Sequence, residues 1–122
     1  MVSVLVVDDS AFLRVMLKQM LVNNGYEVIG EAVNGRDAIE KYQELTPNLV
    51  TMDITMPEMS GIEAVTEIMK RDRKARIVMV SAMGQMATVL ASIKAGAKDF
   101  IVKPYEEEKV IAVLAKICKD LV

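Results

Sequence analysis

The sequence predicts an α/β sandwich, a doubly wound five-stranded parallel sheet with five helices. Three observations point to it. Short apolar, β-branched runs alternate five times with stretches of helical periodicity. The connections between them are brief and punctuated by Gly, Pro, Asn or Asp, with no long linker or low-complexity segment. Each crossover has room for one helix of about three turns, and right-handed crossovers put such helices on both sheet faces.

Val2 to Val7 is nearly all apolar, as a strand buried on both faces requires, and Asp8 and Asp9 end it. Ser10 is an N-cap for the helix Ala11 to Asn23, whose Phe12, Val15, Met16, Leu17, Met20 and Leu21 make one broad apolar face. Asn24-Gly25 tolerates the left-handed backbone that stops it. Tyr26 to Glu31 is a second strand, and the turn Asn34-Gly35 leads into a helix from Arg36 to Leu45. Thr46-Pro47 breaks that helix before the central strand, Asn48 to Met52. Asp53 falls where this strand runs out, Thr55, Met56 and Pro57 form a loop, and Ser60-Gly61 opens a helix reaching Arg71. Its apolar side is Ile62, Val65, Ile68 and Met69. Arg76 to Val80 is the fourth strand and Gly84 to Lys94 the fourth helix, closed by Ala95-Gly96. Asp99 to Val102 is a short fifth strand, and Tyr105 to Leu121 a fifth helix with Glu106, Glu107 and Glu108 in its dipole-favoured first turn.

A chain of 122 residues has room for one domain with a real core. Although 52% of residues are hydrophobic, no run approaches the roughly 18 apolar residues of a membrane span. The first apolar run ends in two acids rather than a cleavage-like region, so no secretory leader is expected. The lone Cys118 precludes an internal disulfide and reads as core filler in a cytoplasmic protein. A net charge of -2 and a pI near 5.2 argue against a nucleic-acid surface. The ten methionines are mostly core by spacing, with Met56, Met59, Met83 and Met86 placed near the strand ends and partly exposed.

In an open parallel sheet, functional groups collect beyond the carboxyl ends of the strands. Here the first strand delivers Asp8 and Asp9, the third Asp53, the fourth Ser81 and the fifth Lys103. One carboxylate alone would do no more than cap a helix, but this set combines compatible chemistry from four strands. Three ionised carboxylates repel unless a cation joins them, and hard oxygen ligands suit Mg²⁺. With no histidine and one remote cysteine, a zinc or haem site lacks ligands. Lys103 and Mg²⁺ could neutralise a phosphoryl group while Ser81 and loop amides donate to it, leaving Asp53 as carboxylate nucleophile.

The segments VLVVDDS, VTMDITMPEMSG, VSAMG and KAGAKDFIVKP together resemble the receiver domain of two-component response regulators. The likeness covers essentially the whole chain, is strongest to stand-alone chemotaxis regulators, and reads residues 1–122 as a single receiver domain. It implies the flavodoxin-like strand order 2-1-3-4-5. It also implies that Asp53 accepts phosphate from a histidine kinase. Asp9, Asp53 and the Thr55 backbone carbonyl would bind Mg²⁺, or Mn²⁺ in its place, with Asp8 acting mainly through water. The amides of Ile54, Thr55 and Ala82 would contact the phosphoryl group, as would Lys103, whose bond to Pro104 would be cis. Ser81 matches the switch hydroxyl and Phe100 the switch aromatic, while Thr55 and Met83 occupy positions that tune phosphoryl lifetime. Phe100 is equally a core strand residue, and as phenylalanine it brings no hydroxyl to a partner. Ser60, where aspartate is frequent, serves as N-cap in the same way.

The implied output is a surface of the fourth helix, fifth strand and fifth helix that binds a flagellar motor-switch protein or an archaeal adaptor. A separate phosphatase would reset a monomeric, cytoplasmic protein that contacts neither membrane nor nucleic acid and is an enzyme only toward its own phosphoryl group. Three rivals remain. An aspartate-nucleophile phosphatase would carry its nucleophile in a DxD pair after the first strand, and would need a cap domain. A flavodoxin-like cofactor binder would need a Ser/Thr/Gly-rich loop where Asp8-Asp9-Ser10 stands. A phosphorelay intermediate would share every site residue.

Overall fold

A computed structural model describes residues 1–121. The apolar runs become strands β1 (Ser3–Val7), β2 (Glu27–Ala32), β3 (Leu49–Asp53), β4 (Ile77–Ser81) and β5 (Asp99–Val102). Between and after them run helices α1 (Ala11–Asn23), α2 (Gly35–Leu45), α3 (Gly61–Arg71), α4 (Met86–Ala95) and α5 (Glu107–Ile117), with a 3-10 turn at Lys119–Leu121. The sheet order is β2-β1-β3-β4-β5 and every pairing is parallel. All residues of β3 and β4 are buried, as central strands covered on both faces must be, whereas edge strand β2 buries only Ala32.

Strand alternation divides the interior in two. Leu5, Val7, Val50, Met52, Ile77 and Met79 point to one face, where Ala38, Ile39 and Tyr42 of α2, Ala64, Val65 and Ile68 of α3, and Val89 of α4 cover them. Val4, Val6, Leu49, Val78 and Ile101 point to the other, under Leu17 and Leu21 of α1 and Val110 and Leu114 of α5. Cys118 joins this second core, as a small buried hydrophobe. Among the described residues no helix is long and apolar enough to cross a membrane.

The structure moves several expected boundaries. Strands β3 and β4 run one residue further than expected, to Asp53 and Ser81, because their backbones stay paired with Val80 and Val102. Helix α4 starts at Met86 rather than Gly84, since Gly84 has φ +88° and leaves the helical region. Helix α5 stops at Ile117, before the 3-10 turn, and Glu106 is its N-cap residue rather than part of its first turn. The broad face expected on α1 is narrower: Leu17 and Leu21 are buried, but Phe12 and Val15 are exposed. Met56 is buried in the α2–α3–α4 core, whereas Met83 and Met86 are exposed.

Candidate functional site

Strands β1, β3, β4 and β5 all end at the same side of the sheet, and each hands over a polar residue there. Asp8 follows β1 and is only 2% exposed. Its N–H donates to the Ala32 carbonyl, 3.1 Å, and its Oδ1 accepts from the Ser10 amide at 2.9 Å. Ser10 in turn caps α1 by accepting from the Leu13 amide, 3.3 Å. From α1, Arg14 donates to the Asp8 carbonyl, 2.7 Å, and to Glu31 Oε1, 2.9 Å. The turn carrying both acids is thereby held from below. Asp9 is exposed beside it.

Asp53 ends β3 and is 6% exposed. Gly61, the first residue of α3, presses on it: its N–H donates to the Ile54 carbonyl at 2.9 Å. A Cβ built there would stand 2.2 Å from the Asp53 carbonyl oxygen and 3.0 Å from Ile54 Cα. Both obstacles are backbone, so no side chain can swing aside. Gly61→Ala is therefore expected to destabilise the fold by roughly 1–3 kcal/mol through overpacking. Urea unfolding would check this, and an unchanged midpoint would show that α3 does not fix Asp53.

One carboxylate oxygen from each of Asp8, Asp9 and Asp53 lies within 4.8 Å of the others. Lys103, just past β5, places Nζ 3.1 Å from Asp8 Oδ2 and 3.4 Å from Asp53 Oδ2. Lys103 N–H is tied to the Ser81 carbonyl, 2.8 Å, and its peptide bond to Pro104 is cis. Asp8 Oδ2 is buried with this ionic contact but no aligned hydrogen bond. Burial pushes the Asp53 carboxyl up to about 6, and the negative charges of Asp8 and Asp9 push it the same way against the opposing pull of Lys103. Burial also raises the Tyr105 phenol above its ordinary value, and Asp8 and Asp53 add to the rise. An all-oxygen, anionic cluster with one carboxylate oxygen short of partners fits Mg²⁺ or Mn²⁺.

Ser81 is buried at the end of β4, one residue beyond the Val80 that pairs with Asp53. Phe100 is half-buried, packing against the α2–α3–α4 core. It lines an open cleft of about 580 Å³ with Met83, Lys103, Pro104, Val110 and Val113. Of the amides expected to face a ligand, that of Ile54 does not. It donates to the Val80 carbonyl at 3.1 Å, because pairing with β4 extends past Asp53. The Ala82 amide donates to Gln85 Oε1, 2.7 Å, and Gln85 Nε2 donates to the Thr55 hydroxyl, 3.0 Å. Gln85, Arg14 and Tyr105 escape a reading of strand ends, since each reaches the site from a helix or loop.

Residues 4–115 match the response regulator receiver domain family. The chain is 61% identical over 116 residues to the chemotaxis protein CheY of Thermotoga maritima, covering 95% of this chain and 97% of that one. It is 58% identical over 113 residues to the CheY of Bacillus subtilis, covering 93% and 94%. A solved CheX–CheY–BeF3–Mg complex from Borrelia burgdorferi matches with a TM-score of 0.91 at 39% identity, over 95% of this chain and 88% of that one. Family match, identity and strand order agree with the acids, hydroxyl and lysine at the sheet edge: the chain belongs to the response regulator receiver domains of two-component signalling and is CheY-like among them.

Proposed function

We propose that the chain is a Mg²⁺-dependent phospho-acceptor switch of chemotaxis signalling, in which Asp53 takes a phosphoryl group from a histidine kinase. The observation that carries this is the convergence of three carboxylates within 4.8 Å, two of them touched by Lys103. Asp8, Asp9, Asp53 and the Thr55 carbonyl would hold the ion, which supplies positive charge against the phosphoryl oxygens when bound.

Asp53 is the nucleophile. One of its oxygens bonds to phosphorus as the bond from phosphorus to the kinase imidazole nitrogen breaks. The electron pair leaves with that nitrogen, and because the other ring nitrogen already carries a proton the ring departs as neutral imidazole. Lys103, anchored beside Asp53 at the end of β5, turns its ammonium to the new oxygens. The Ser81 hydroxyl and the amides of Thr55 and Ala82 donate to them as well. Movement of Ser81 toward the phosphoryl group frees space into which Phe100 turns, a two-state repacking.

The changed surface is α4, β5 and α5, where Met86, Leu90, Ile93 and Val102 are already exposed. A flagellar motor-switch protein or an archaeal adaptor is the proposed reader. A separate phosphatase is the proposed eraser, supported by the Borrelia complex, in which a second protein, CheX, sits on CheY. The whole chain acts as one receiver domain and works as a monomer in the cytoplasm.

Incubation with radiolabelled acetyl phosphate and Mg²⁺ is expected to give a hydroxylamine-labile label, which borohydride trapping places at Asp53. EDTA should suppress it. Labelling indifferent to EDTA, or at another residue, would sink the reading.

A further inference from the structure

We infer that Gln85 is an internal latch that holds the unphosphorylated state by occupying the amide needed by the phosphoryl group. This rests on the phospho-acceptor reading above and deepens it. Gln85 lies four residues past Ser81, in the loop between β4 and α4. Its carboxamide spans two loops: Oε1 accepts from the Ala82 N–H at 2.7 Å, and Nε2 donates to the Thr55 hydroxyl at 3.0 Å.

A backbone amide has one proton to donate, and here it is committed to a neutral acceptor at close range. A phosphoryl oxygen on Asp53 must displace Gln85 Oε1 before it can use that donor. The charged oxygen makes the stronger bond, so the exchange runs forward, but its gain is reduced by the bond that is lost. The Thr55 contact raises the cost, because the carboxamide is held at both ends. Gln85 is also the N-cap residue of α4, yet its side chain makes no bond to that helix. The same residue thus ties the start of α4 to the loop after β3. Releasing it unlinks the helix that carries exposed Met86 and Leu90.

Two variants test the latch. Gln85→Ala removes the carboxamide, and Gln85→Met keeps its length without its hydrogen bonds. Each would be titrated with beryllium fluoride at saturating Mg²⁺, with amide resonances of the ¹⁵N-labelled full chain as readout. Both variants are expected to reach half-saturation at roughly three- to tenfold lower beryllium fluoride than the native protein, the effect of losing about one competing hydrogen bond. Acetyl phosphate labelling should speed up by a similar factor. A Thr55→Val change, which cuts only one end, should shift the midpoint the same way by less. Mg²⁺ titration without fluoride distinguishes a latch from a general loosening, since a latch moves the beryllium fluoride midpoint and not the Mg²⁺ midpoint. Variants that bind beryllium fluoride no better than the native protein, or more weakly, overturn the latch while leaving the acceptor reading intact. An equal shift in Mg²⁺ affinity also overturns it. A native protein whose Asp53 and Lys103 resonances ignore beryllium fluoride would overturn the acceptor reading itself, and the latch with it.

Discussion

With metal removed, Asp53→Asn is expected to be more stable than the native protein at neutral pH and no more stable at about pH 4. Burial and the charges of Asp8 and Asp9 raise the Asp53 carboxyl from 3.8 to about 6. The folded protein therefore holds a proton that the unfolded chain has already released across that window. Stability then falls as pH rises, because the unfolded state binds fewer protons. The contribution is fully present below about 3.8 and gone once the pH has passed about 6. A rise of that size corresponds to about 3 kcal/mol as an upper bound, and water reaching the open crevice lowers it to on the order of 2. Asparagine does not ionise and escapes the penalty, though it also loses its ionic contact with Lys103. Mg²⁺ should reverse the ranking, because the native carboxylates gain a ligand that the variant holds poorly. Urea unfolding in EDTA between about pH 4 and pH 8, repeated in excess Mg²⁺, would read both effects. A native protein that is the more stable in EDTA at pH 8 would mean that Lys103 outweighs the mutual repulsion of the acids.

The architecture was legible because both periodicities are clean. Fully apolar runs such as Val4 to Val7 and Ile77 to Val80 can only be central parallel strands, and two of the helices between them announce their own caps at Ser10 and Ser60. Strand ends were less legible for a physical reason. Asp53 and Ser81 are polar, so they read as following their strands, yet the ladder is a backbone property and continues through them. That single residue matters at Ile54, whose amide is a ladder donor rather than a free ligand contact. On α1, Phe12 and Val15 match each other's helical spacing but not that of Leu17 and Leu21, and the turn of the helix carries them to the side away from the sheet. An apolar residue joins the buried face only when its angle around the helix agrees with the others. The acids and Lys103 could be gathered by comparing strand ends, since parallel topology brings those ends together. Gln85 could not. Nothing about a glutamine in a loop signals that its two ends meet an amide and a hydroxyl from different connections.

Lys103→Ala is expected to cost about 2–3 kcal/mol in the absence of metal at pH 8, and less at pH 5. Its ammonium is the one cation within 4 Å of Asp8 Oδ2 and Asp53 Oδ2 among the described residues, at 3.1 and 3.4 Å. Both carboxylates are almost wholly buried, and Asp8 Oδ2 has no aligned hydrogen bond to fall back on. Removing one partner of a buried pair leaves the other charge uncompensated, typically at about 3–5 kcal/mol. Partial exposure of Lys103 and the open side near Asp9 place this case below that range. The Asp53 carboxyl, already pushed up to about 6, would lose its main opposing influence and rise further. Uptake of a proton then limits the loss at low pH, which makes the deficit widen as pH increases. Excess Mg²⁺ should return much of the stability, by about 2.7 kcal/mol at a concentration 100-fold above its dissociation constant. The rescue should stop at stability. Metal binding persists on the three acids, but no ammonium remains to couple a phosphoryl group on Asp53 to β5 and its half-buried Phe100. Beryllium fluoride should therefore perturb resonances at Asp53 in Lys103→Ala while leaving those of α4 and Phe100 unmoved. A variant as stable as the native protein in EDTA at pH 8 would remove the electrostatic argument. One whose α4 still responds would leave Lys103 a counter-ion and nothing more.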